Sequence, residues 1–341
     1  MRILVTATHV PFAEGGAERH IAGLVAALKT AGHQVEAMRF PFRFQPETDV
    51  ERVMRFCEGT DLNAPNGQAV DRVVSLQFPG WGVQHDDQVA WIMHQHRAVY
   101  ELYDPDTADP ALSRLRETVH AFDARTLART RARFANSARV AERLRAYTDL
   151  DATPLYHPPP APASFYTGEA LDYVFVPSRL ERLKRQDLFI EAARQVRAPV
   201  AFVIAGDGGQ AGTYRQMIEA AGVGDRVHLI GAVSEAEKRA WYANALAVGF
   251  VPYDEDYGYV TLEAMLARKP VITCTDSGGP LEFVHDGETG RAAAPTAAAV
   301  ARAVDELHAD KARARRMGAA GRAVYDESGI GWERVVAALT A

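Results

Sequence analysis

The chain has 341 residues, too many for one hydrophobic core of ordinary size, so two domains are expected. Its hydrophobic fraction of 48% and charged fraction of 24% are those of a folded globular protein. A net charge of −6 argues against a protein that coats nucleic acid, and two cysteines are too few for a disulfide framework or a cysteine-rich metal site.

The N-terminal stretch carries no targeting signal that we recognise. MRILVTATHVPF has one basic residue and an apolar run of about four, too short for a signal or transit peptide. No apolar run approaches the roughly 20 residues that span a bilayer. We therefore expect a cytoplasmic protein, with peripheral contact at the inner face of a membrane left open.

The N-terminal half opens with a strand, a turn, a helix and a second strand. RILVTAT reads as a buried strand and HQVEAMRF as the next, with a helix between them whose apolar residues follow a helical period. Gly15 and Gly16 precede that helix, where backbone N–H groups and the helix dipole favour a phosphate. An ordinary tight turn is the alternative for these two glycines.

Further strands are predicted at DRVVSLQF, QVAWIMH and RARFANS, the last followed by a helix at ARVAERLRAY. The Pro-rich segment 152–162 cannot continue a helix or a central strand and indicates a linker. After it, strands at DYVFVPS, PVAFVIAG, RVHLIG, ALAVGFVP and PVITC alternate with helical segments. Continuous apolar strands with helical crossovers predict a parallel sheet covered on both faces.

The α/β fold class expected is therefore two Rossmann-like parallel-sheet domains that face each other across a cleft. We place the first domain at 1–155 and the second at 156–325. Residues 326–341 are predicted to form a C-terminal helix.

Loops that follow the second set of strands carry candidate binding residues, because ligands in such sheets sit beyond the C-terminal strand ends. Arg179 and Lys184 follow DYVFV and suit a diphosphate, with a solvated basic loop as the alternative. Gly206 and Gly208 form a G-x-G after the next strand, but the third glycine of a dinucleotide-binding loop is missing.

The segment VPYDEDYGYVTLEAM concentrates acids and allows four interpretations. In the first, Asp254 and Asp256 form a D-x-D metal site. In the second, Glu255 and Glu263 form an acid/base pair, and in the third they make two separate contacts to one substrate. In the fourth, the acids belong to a solvated loop. Glu263 is expected about five residues into a helix, roughly 7.5 Å along its axis. That spacing disfavours a shared metal or a shared proton.

Taken together and in order, these motifs resemble the glycosyltransferases of family 4, which have the GT-B fold. The resemblance rests on the E-x(7)-E pattern of EDYGYVTLEAM, preceded by SRLERLKRQD and IAGDGG and followed by GGPLE, with PFAEGGAERH and FANSARVAERL in the first half. It covers nearly the whole chain.

The resemblance implies that domain 1–155 lies on the acceptor side, that domain 156–325 holds the nucleotide-sugar donor, and that helix 326–341 packs back on the first domain. It also implies a role for each matching residue. Arg179 and Lys184 would hold the donor diphosphate, Glu263 the ribose hydroxyls and Glu255 the hydroxyls of the transferred sugar. Other residues would line the donor through backbone groups or close approach; these are Gly15, Gly16, Gly206, Tyr257, Gly258, Tyr259 and Val260.

The family also has a histidine at the end of an N-domain strand, near the reacting centre. His94 and His96 both qualify here, and His94 is favoured because it directly follows the apolar run. A structural histidine at a strand end is the alternative. His96, Arg97 and Tyr100 are weaker candidates for the acceptor side.

The implied function is retaining, metal-independent transfer of a hexose-type sugar from a nucleotide-diphosphate sugar to a hydroxyl acceptor. The nucleotide sugar is a co-substrate, and no cofactor, metal or nucleic acid is expected. The alternatives are a sugar-nucleotide epimerase on the same plan and a non-catalytic sugar-nucleotide sensor. A basic stretch from Arg125 to Arg145 would supply peripheral membrane contact, with a solvated helix face as the alternative.

Overall fold

The computed structural model describes residues 1–12 and 15–341, which divide into two compact units. Unit 1 comprises residues 1–157 and 331–341, and unit 2 comprises residues 158–330. Ala13 and Glu14, part of the glycine turn predicted to approach a phosphate, lie outside the described residues.

Unit 1 is built on a six-stranded parallel sheet with the order β2-β1-β3-β4-β5-β6. Its strands are β1 (Arg2–His9), β2 (Gln34–Pro41), β3 (Arg72–Ser75), β4 (Gln88–Ile92), β5 (Ala132–Ala135) and β6 (Thr153–Pro154). Strands β3 and β4 are buried along their whole length, as expected where helices cover both faces of a parallel sheet.

The α-helices in the described part of unit 1 are α1 (Gly16–Thr30), α2 (Glu47–Glu58), α3 (Pro110–Ala128), α4 (Ala138–Thr148) and α11 (Trp332–Thr340). Helix α11 packs against α1, where a Cβ on Gly23 would lie 2.3 Å from Cζ2 of Trp332. The guanidinium of Arg72 donates to the carbonyls of Leu339 at 2.8 Å and Ala341 at 2.9 Å. The last residues of the chain are therefore part of the core of unit 1.

Unit 2 has a second six-stranded parallel sheet, with the order β12-β11-β10-β7-β8-β9. Its strands are β7 (Tyr173–Pro177), β8 (Ala201–Ala205), β9 (Val227–Gly231), β10 (Ala247–Gly249), β11 (Val271–Cys274) and β12 (Gly290–Ala293). Its α-helices are α5 (Asp187–Ala193), α6 (Ala211–Ala221), α7 (Glu235–Asn244), α8 (Tyr259–Leu266), α9 (Ala297–Ala309) and α10 (Lys311–Glu327). The predicted pair of parallel sheets is confirmed.

Short 3-10 helices lie in the loops at Gly80–Gly82, Arg97–Val99, Pro162–Ser164, Arg182–Lys184 and Gly279–Glu282. The 3-10 helix Arg182–Lys184 lies in the loop after β7, which carries the predicted donor residues Arg179 and Lys184. Because the strands are parallel, their carboxyl ends share one edge of the sheet, where the loops after β11, β10, β7 and β8 are neighbours.

The strand order of unit 2 reverses between β7 and β10. From β7 the chain builds outward through β8 and β9, and then returns to place β10 on the other side of β7. Ligands of open α/β sheets bind at such a reversal, beyond the carboxyl ends of the two strands. The loops after β7 and β10 are therefore the expected ligand-binding loops of unit 2.

Candidate functional site

An ion pair joins the two loops at this reversal point. The ammonium group of Lys184, after β7, contacts the Oε2 atom of Glu255, after β10. Their side chains are 17% and 16% exposed, so the pair is largely removed from solvent but keeps a small accessible surface. The structure thus brings together two residues that stand 71 positions apart in the sequence.

Backbone hydrogen bonds hold the strand-end loops in register. Tyr253 N donates to the Leu183 carbonyl at 2.8 Å, which joins the loop after β10 to the loop after β7. Glu255 N donates to the Ser277 carbonyl at 2.9 Å, and Gly279 N donates back to Glu255 O at 2.8 Å, which joins the loop after β11. The carboxylate of Glu255 is therefore carried by a fixed backbone.

Two predicted motif glycines are required by close backbone approach. Gly206 has φ +142°, and a Cβ there would lie 1.9 Å from the Ser178 carbonyl oxygen. Gly278 has φ +71°, and its Cβ would lie 2.6 Å from the Glu255 carbonyl oxygen. The G-x-G and G-G motifs let the loops pack against one another, and in this way they shape the site.

Glu263 lies on α8, the helix that follows the acidic loop, and faces a different set of partners. It is 3% exposed; its Oε1 accepts from Nζ of Lys238 at 2.9 Å and its Oε2 accepts from the Tyr242 hydroxyl at 2.8 Å. A carboxylate has about four lone-pair positions, so these two donors do not exhaust its capacity to accept hydrogen bonds. Glu255 and Glu263 have separate partners in the structure.

The start of α8 is formed by glycine rather than by an acid. Gly258 is the N-cap residue, in the left-handed region with φ +86°, and it has no side chain to cap the helix. Within residues 1–12 and 15–341, no three His, Cys, Asp or Glu side chains are grouped as a metal site would need.

Lys238 and Tyr242 were not predicted as site residues. They stand four residues apart on α7 and so share one face of that helix. Their spacing is visible in the sequence, but nothing local indicates that this face meets the carboxylate of Glu263 on α8.

The other predicted donor residues surround the same edge of the sheet. Arg179 is exposed in the loop after β7, and its carbonyl accepts from the Gln186 side chain at 3.0 Å. Tyr257 is buried, with its ring 6.0 Å from that of Tyr259. Val260 is half-buried in the first turn of α8.

In unit 1, Gly15 and Gly16 lie where the sequence places them, at the start of α1. Gly15 is an extended N-cap residue, and among the described residues no side-chain cap bond is made at this helix start. A helix start of this kind can bind an anion through its backbone N–H groups.

The structure distinguishes His94 from His96. His96 is 5% exposed and stacks on Phe78 at 5.3 Å between ring centroids, and burial lowers its pKa to about 4, with a smaller effect from His94. His94 is half-buried, and its Nδ1–H donates to the Gln95 carbonyl at 2.8 Å, which leaves Nε2 of the neutral ring as an acceptor. The accessible ring is that of His94.

Arg97 and Tyr100 have partners within unit 1. Arg97 forms an ion pair with Glu101. The Tyr100 hydroxyl donates to Oδ2 of Asp123 at 2.7 Å, and Nε1 of Trp81 donates to the other carboxylate oxygen at 2.9 Å. Burial raises the pKa of Asp123 to about 7 despite these hydrogen bonds, so this network is part of the core.

The basic stretch from Arg125 to Arg145 is largely neutralised by contacts within unit 1. Five of its arginines pair with carboxylates, which are Arg125 with Glu58, Arg131 with Asp87, Arg139 with Glu142, Arg143 with Glu101 and Arg145 with Asp151. Arg133 donates to backbone carbonyls. The excess of positive charge in the sequence is thus smaller in the folded unit.

None of the helices in the described ranges combines the length and apolar character that a bilayer crossing requires.

Comparison with known proteins shows what the chain is similar to. Residues 167–324, most of unit 2, match the family model of glycosyl transferases group 1. A GDP-mannose-dependent alpha-(1-6)-phosphatidylinositol monomannoside mannosyltransferase of Mycobacterium tuberculosis is 35% identical over 210 residues, which cover 57% of this chain and 54% of that protein. Alpha-1,3/1,6-mannosyltransferase ALG2 of Dictyostelium discoideum is 35% identical over 101 residues, 30% of this chain and 24% of that protein.

The chain therefore spans about half or less of the length of these curated relatives. Among solved structures, sucrose-phosphate synthase from Thermosynechococcus elongatus has a TM-score of 0.80 at 19% identity, with 100% of this chain and 98% of that chain covered. This likeness shows the fold. Unit 2 is thus similar to glycosyltransferases of the family 4 type, and the chain has the two-domain GT-B fold that its sequence predicts.

Proposed function

We propose that the chain is a retaining glycosyltransferase that moves a hexose from a nucleotide-diphosphate sugar to a hydroxyl acceptor. The observation that carries the proposal is the Lys184–Glu255 ion pair at the strand-order reversal of unit 2. A cation and a carboxylate in contact there match two neighbouring parts of one ligand, a diphosphate and a sugar.

The ion pair has a physical role before the donor arrives. A charge that is largely removed from water is costly unless a partner compensates it, and each of these two side chains compensates the other. Donor binding would exchange this pair for two new ones, with Lys184 on a phosphate oxygen and Glu255 on hydroxyls of the sugar. Arg179, exposed in the same loop, supplies a second cation for the diphosphate.

Glu263 is proposed to hold the ribose hydroxyls. Its carboxylate is oriented by Lys238 and Tyr242 before any ligand binds. A pre-oriented carboxylate that accepts two hydroxyls fixes the rotation of the nucleotide and so the position of the sugar beyond it.

Catalysis would rest on positioning and on stabilisation of the departing nucleoside diphosphate. Lys184, Arg179 and the helix start at Gly258 would oppose the negative charge that develops on the leaving oxygen. From the family resemblance, His94, whose Nδ1 is hydrogen-bonded to the Gln95 carbonyl, is proposed to act in the reaction. Retention of configuration and metal independence come from the family resemblance and are part of the proposal.

The relatives support a first choice of donor. One of them is a GDP-mannose-dependent mannosyltransferase, and another is an alpha-1,3/1,6-mannosyltransferase. GDP-mannose therefore leads the donors to be tested, with a lipid-linked or glycan hydroxyl as the acceptor class and peripheral membrane contact as a further proposal.

A thermal-shift screen tests the proposal. Ligand that binds only the folded state raises the apparent melting temperature. We expect at least one of the GDP-, UDP-, ADP- and TDP-sugars to stabilise the wild-type protein, and the same donor to have a much smaller effect on the Lys184→Met variant. If no donor shifts the wild type, or if both proteins shift equally, the proposed site is wrong.

A further inference from the structure

The guanidinium of Arg185, the residue after Lys184, is occupied mainly by hydrogen bonds to other parts of the protein. Its Nη1 and Nη2 donate to the two carboxylate oxygens of Asp276 at 2.8 and 2.6 Å. Its Nε donates to the Val251 carbonyl and its Nη2 to the Pro252 carbonyl, both at 2.8 Å. Four hydrogen bonds to the protein and a side chain that is only 17% exposed leave this guanidinium little to offer a ligand.

These contacts join the three loops that build the donor site. Arg185 belongs to the loop after β7, the two carbonyls precede the acidic loop after β10, and Asp276 lies in the loop after β11. The carbonyl of Asp276 in turn accepts from Asp254 N at 2.9 Å, one residue before Glu255. One planar group therefore connects the backbone of Lys184 to the backbone of Glu255.

The backbone of Arg185 is held in an unfavourable conformation. Its φ is +52°, in the left-handed region that L-residues other than glycine avoid. Non-glycine residues remain there when their surroundings over-determine the conformation, often at functional sites. The side-chain contacts of Arg185 supply that over-determination.

We propose that Arg185 is a positioning residue that, with Asp276, sets the place of Lys184 relative to Glu255. The inference rests on the proposed function, because Lys184 and Glu255 are the residues proposed to hold the diphosphate and the sugar. Asp276 also compensates the charge of Arg185, so that Lys184 remains the cation of this turn that faces Glu255.

The proposal predicts a particular division between binding and turnover. A free nucleoside diphosphate would contact Lys184 and Glu263 but not the sugar-holding carboxylate, so its affinity does not depend on the Lys184–Glu255 spacing. Transfer of the sugar needs both contacts at once, because a misplacement of about 1 Å costs on the order of 100-fold in rate. Loss of the Arg185–Asp276 pair should therefore lower kcat and leave the affinity for the nucleoside diphosphate unchanged.

The test uses the full chain and four variants. Arg185→Gly removes the guanidinium and relieves the strained backbone, whereas Arg185→Gln removes the guanidinium alone. Asp276→Asn weakens the Arg185–Asp276 pair from the other side, and Arg185→Gln/Asp276→Asn removes both partners. Arg182→Gln is the matched control, because Arg182 is an exposed arginine in the same short turn. Release of nucleoside diphosphate from the best donor gives kcat, calorimetry with the free nucleoside diphosphate gives Kd, and thermal unfolding confirms that each variant is folded at the assay temperature.

We expect kcat to fall at least tenfold in Arg185→Gly and Arg185→Gln, with Kd within threefold of wild type. The double variant should lose no more than the worse single variant, because partners in one network are not additive. The control should keep wild-type kcat.

Three outcomes overturn the inference. They are a kcat within twofold of wild type for the folded Arg185 variants, a Kd that weakens in proportion to the loss of kcat, and additive losses in the double variant. If the wild type itself neither binds a nucleoside diphosphate nor releases one from any donor, the proposed function fails, and the inference fails with it.

Discussion

The ammonium group of Lys238 lies 2.9 Å from the buried carboxylate of Glu263 and ties helix α7 to helix α8. The side chains are 13% and 4% exposed. We expect Lys238→Met to destabilise the protein by about 3 kcal/mol, because it leaves a carboxylate buried with only the Tyr242 hydroxyl as a partner. Urea unfolding measures the loss.

Two further variants control this prediction. Glu235→Gln removes only the partner of Lys238 that is 47% exposed, and should cost no more than about 1 kcal/mol. Adding Glu263→Gln to Lys238→Met removes the uncompensated charge and should recover part of the stability. A Lys238→Met protein as stable as Glu235→Gln would show that the pair is not an effective buried interaction.

Removal of Glu263 and removal of His94 should separate binding from turnover. Glu263→Ala is expected to weaken donor binding, because the ribose loses its proposed carboxylate. His94→Ala is expected to lower kcat by at least about tenfold, with the donor Kd changed by less than about threefold. His228→Ala, at an exposed histidine of unit 2, is the control for surface effects. Sugar transfer at the wild-type rate by both variants would contradict the assignment of these two residues.

His96 should make stability depend on pH between about 4 and 6.5. Burial lowers its pKa to about 4, below the 6.5 of the unfolded chain, so the unfolded state binds more protons in this window and stability falls as the pH falls through it. Over the window the loss from this residue amounts to about 3 kcal/mol. Below pH 4 both states are protonated and the dependence ends.

The variant His96→Phe isolates this effect. Phenylalanine keeps a ring against Phe78 and Phe44 but cannot titrate. Asp123, whose pKa burial raises, contributes stability that is lost as the pH rises, and it does so in both proteins. Urea unfolding at pH 4.5, 5.5, 6.5 and 7.5 should give a shallower decline towards acid for the variant, and parallel curves would refute the prediction.

Gly206 should not tolerate a side chain, although its neighbour Gly209 should. A Cβ at Gly206 would lie 1.9 Å from a backbone carbonyl, whereas one at Gly209 would meet nothing within 4 Å. We expect Gly206→Ala to cost at least about 2 kcal/mol, from strain at a positive φ together with displacement of the loop after β7. Gly209→Ala should change the unfolding free energy by less than about 0.5 kcal/mol. Equal unfolding free energies for Gly206→Ala and Gly209→Ala would mean that the loop after β8 can move away from the loop after β7 at little cost.

Local patterns were sufficient to predict most strands of the two sheets. The strands of unit 2 are continuous runs of buried apolar residues, as in β7, and the helices between them indicate a parallel sheet. Helix α3 was not predicted, even though Asp109 caps it and Pro110 opens it. Its buried face includes Asp123 and Thr126, so polar residues interrupt the helical apolar period. The short edge strand β12, which begins with Gly290, has no local signal of its own.

The candidate site was predictable in part. The sequence places Lys184 and Glu255 in loops after strands, but it cannot give the strand order that makes those loops neighbours. Lys238 and Arg185 act through partners distant in the sequence, at separations of 25 and 91 residues. Such contacts depend on tertiary packing, and no periodicity or motif reveals them.

The central claim is that Lys184 and Glu255 hold one nucleotide-sugar donor for transfer. The most direct measurement is the rate of nucleoside diphosphate release from the donor selected by thermal shift, for the wild type, Lys184→Met and Glu255→Gln. The account predicts turnover by the wild type and a loss of at least about 100-fold in each variant, with Glu255→Gln still binding the free nucleoside diphosphate. Release at an undiminished rate by both folded variants would contradict it.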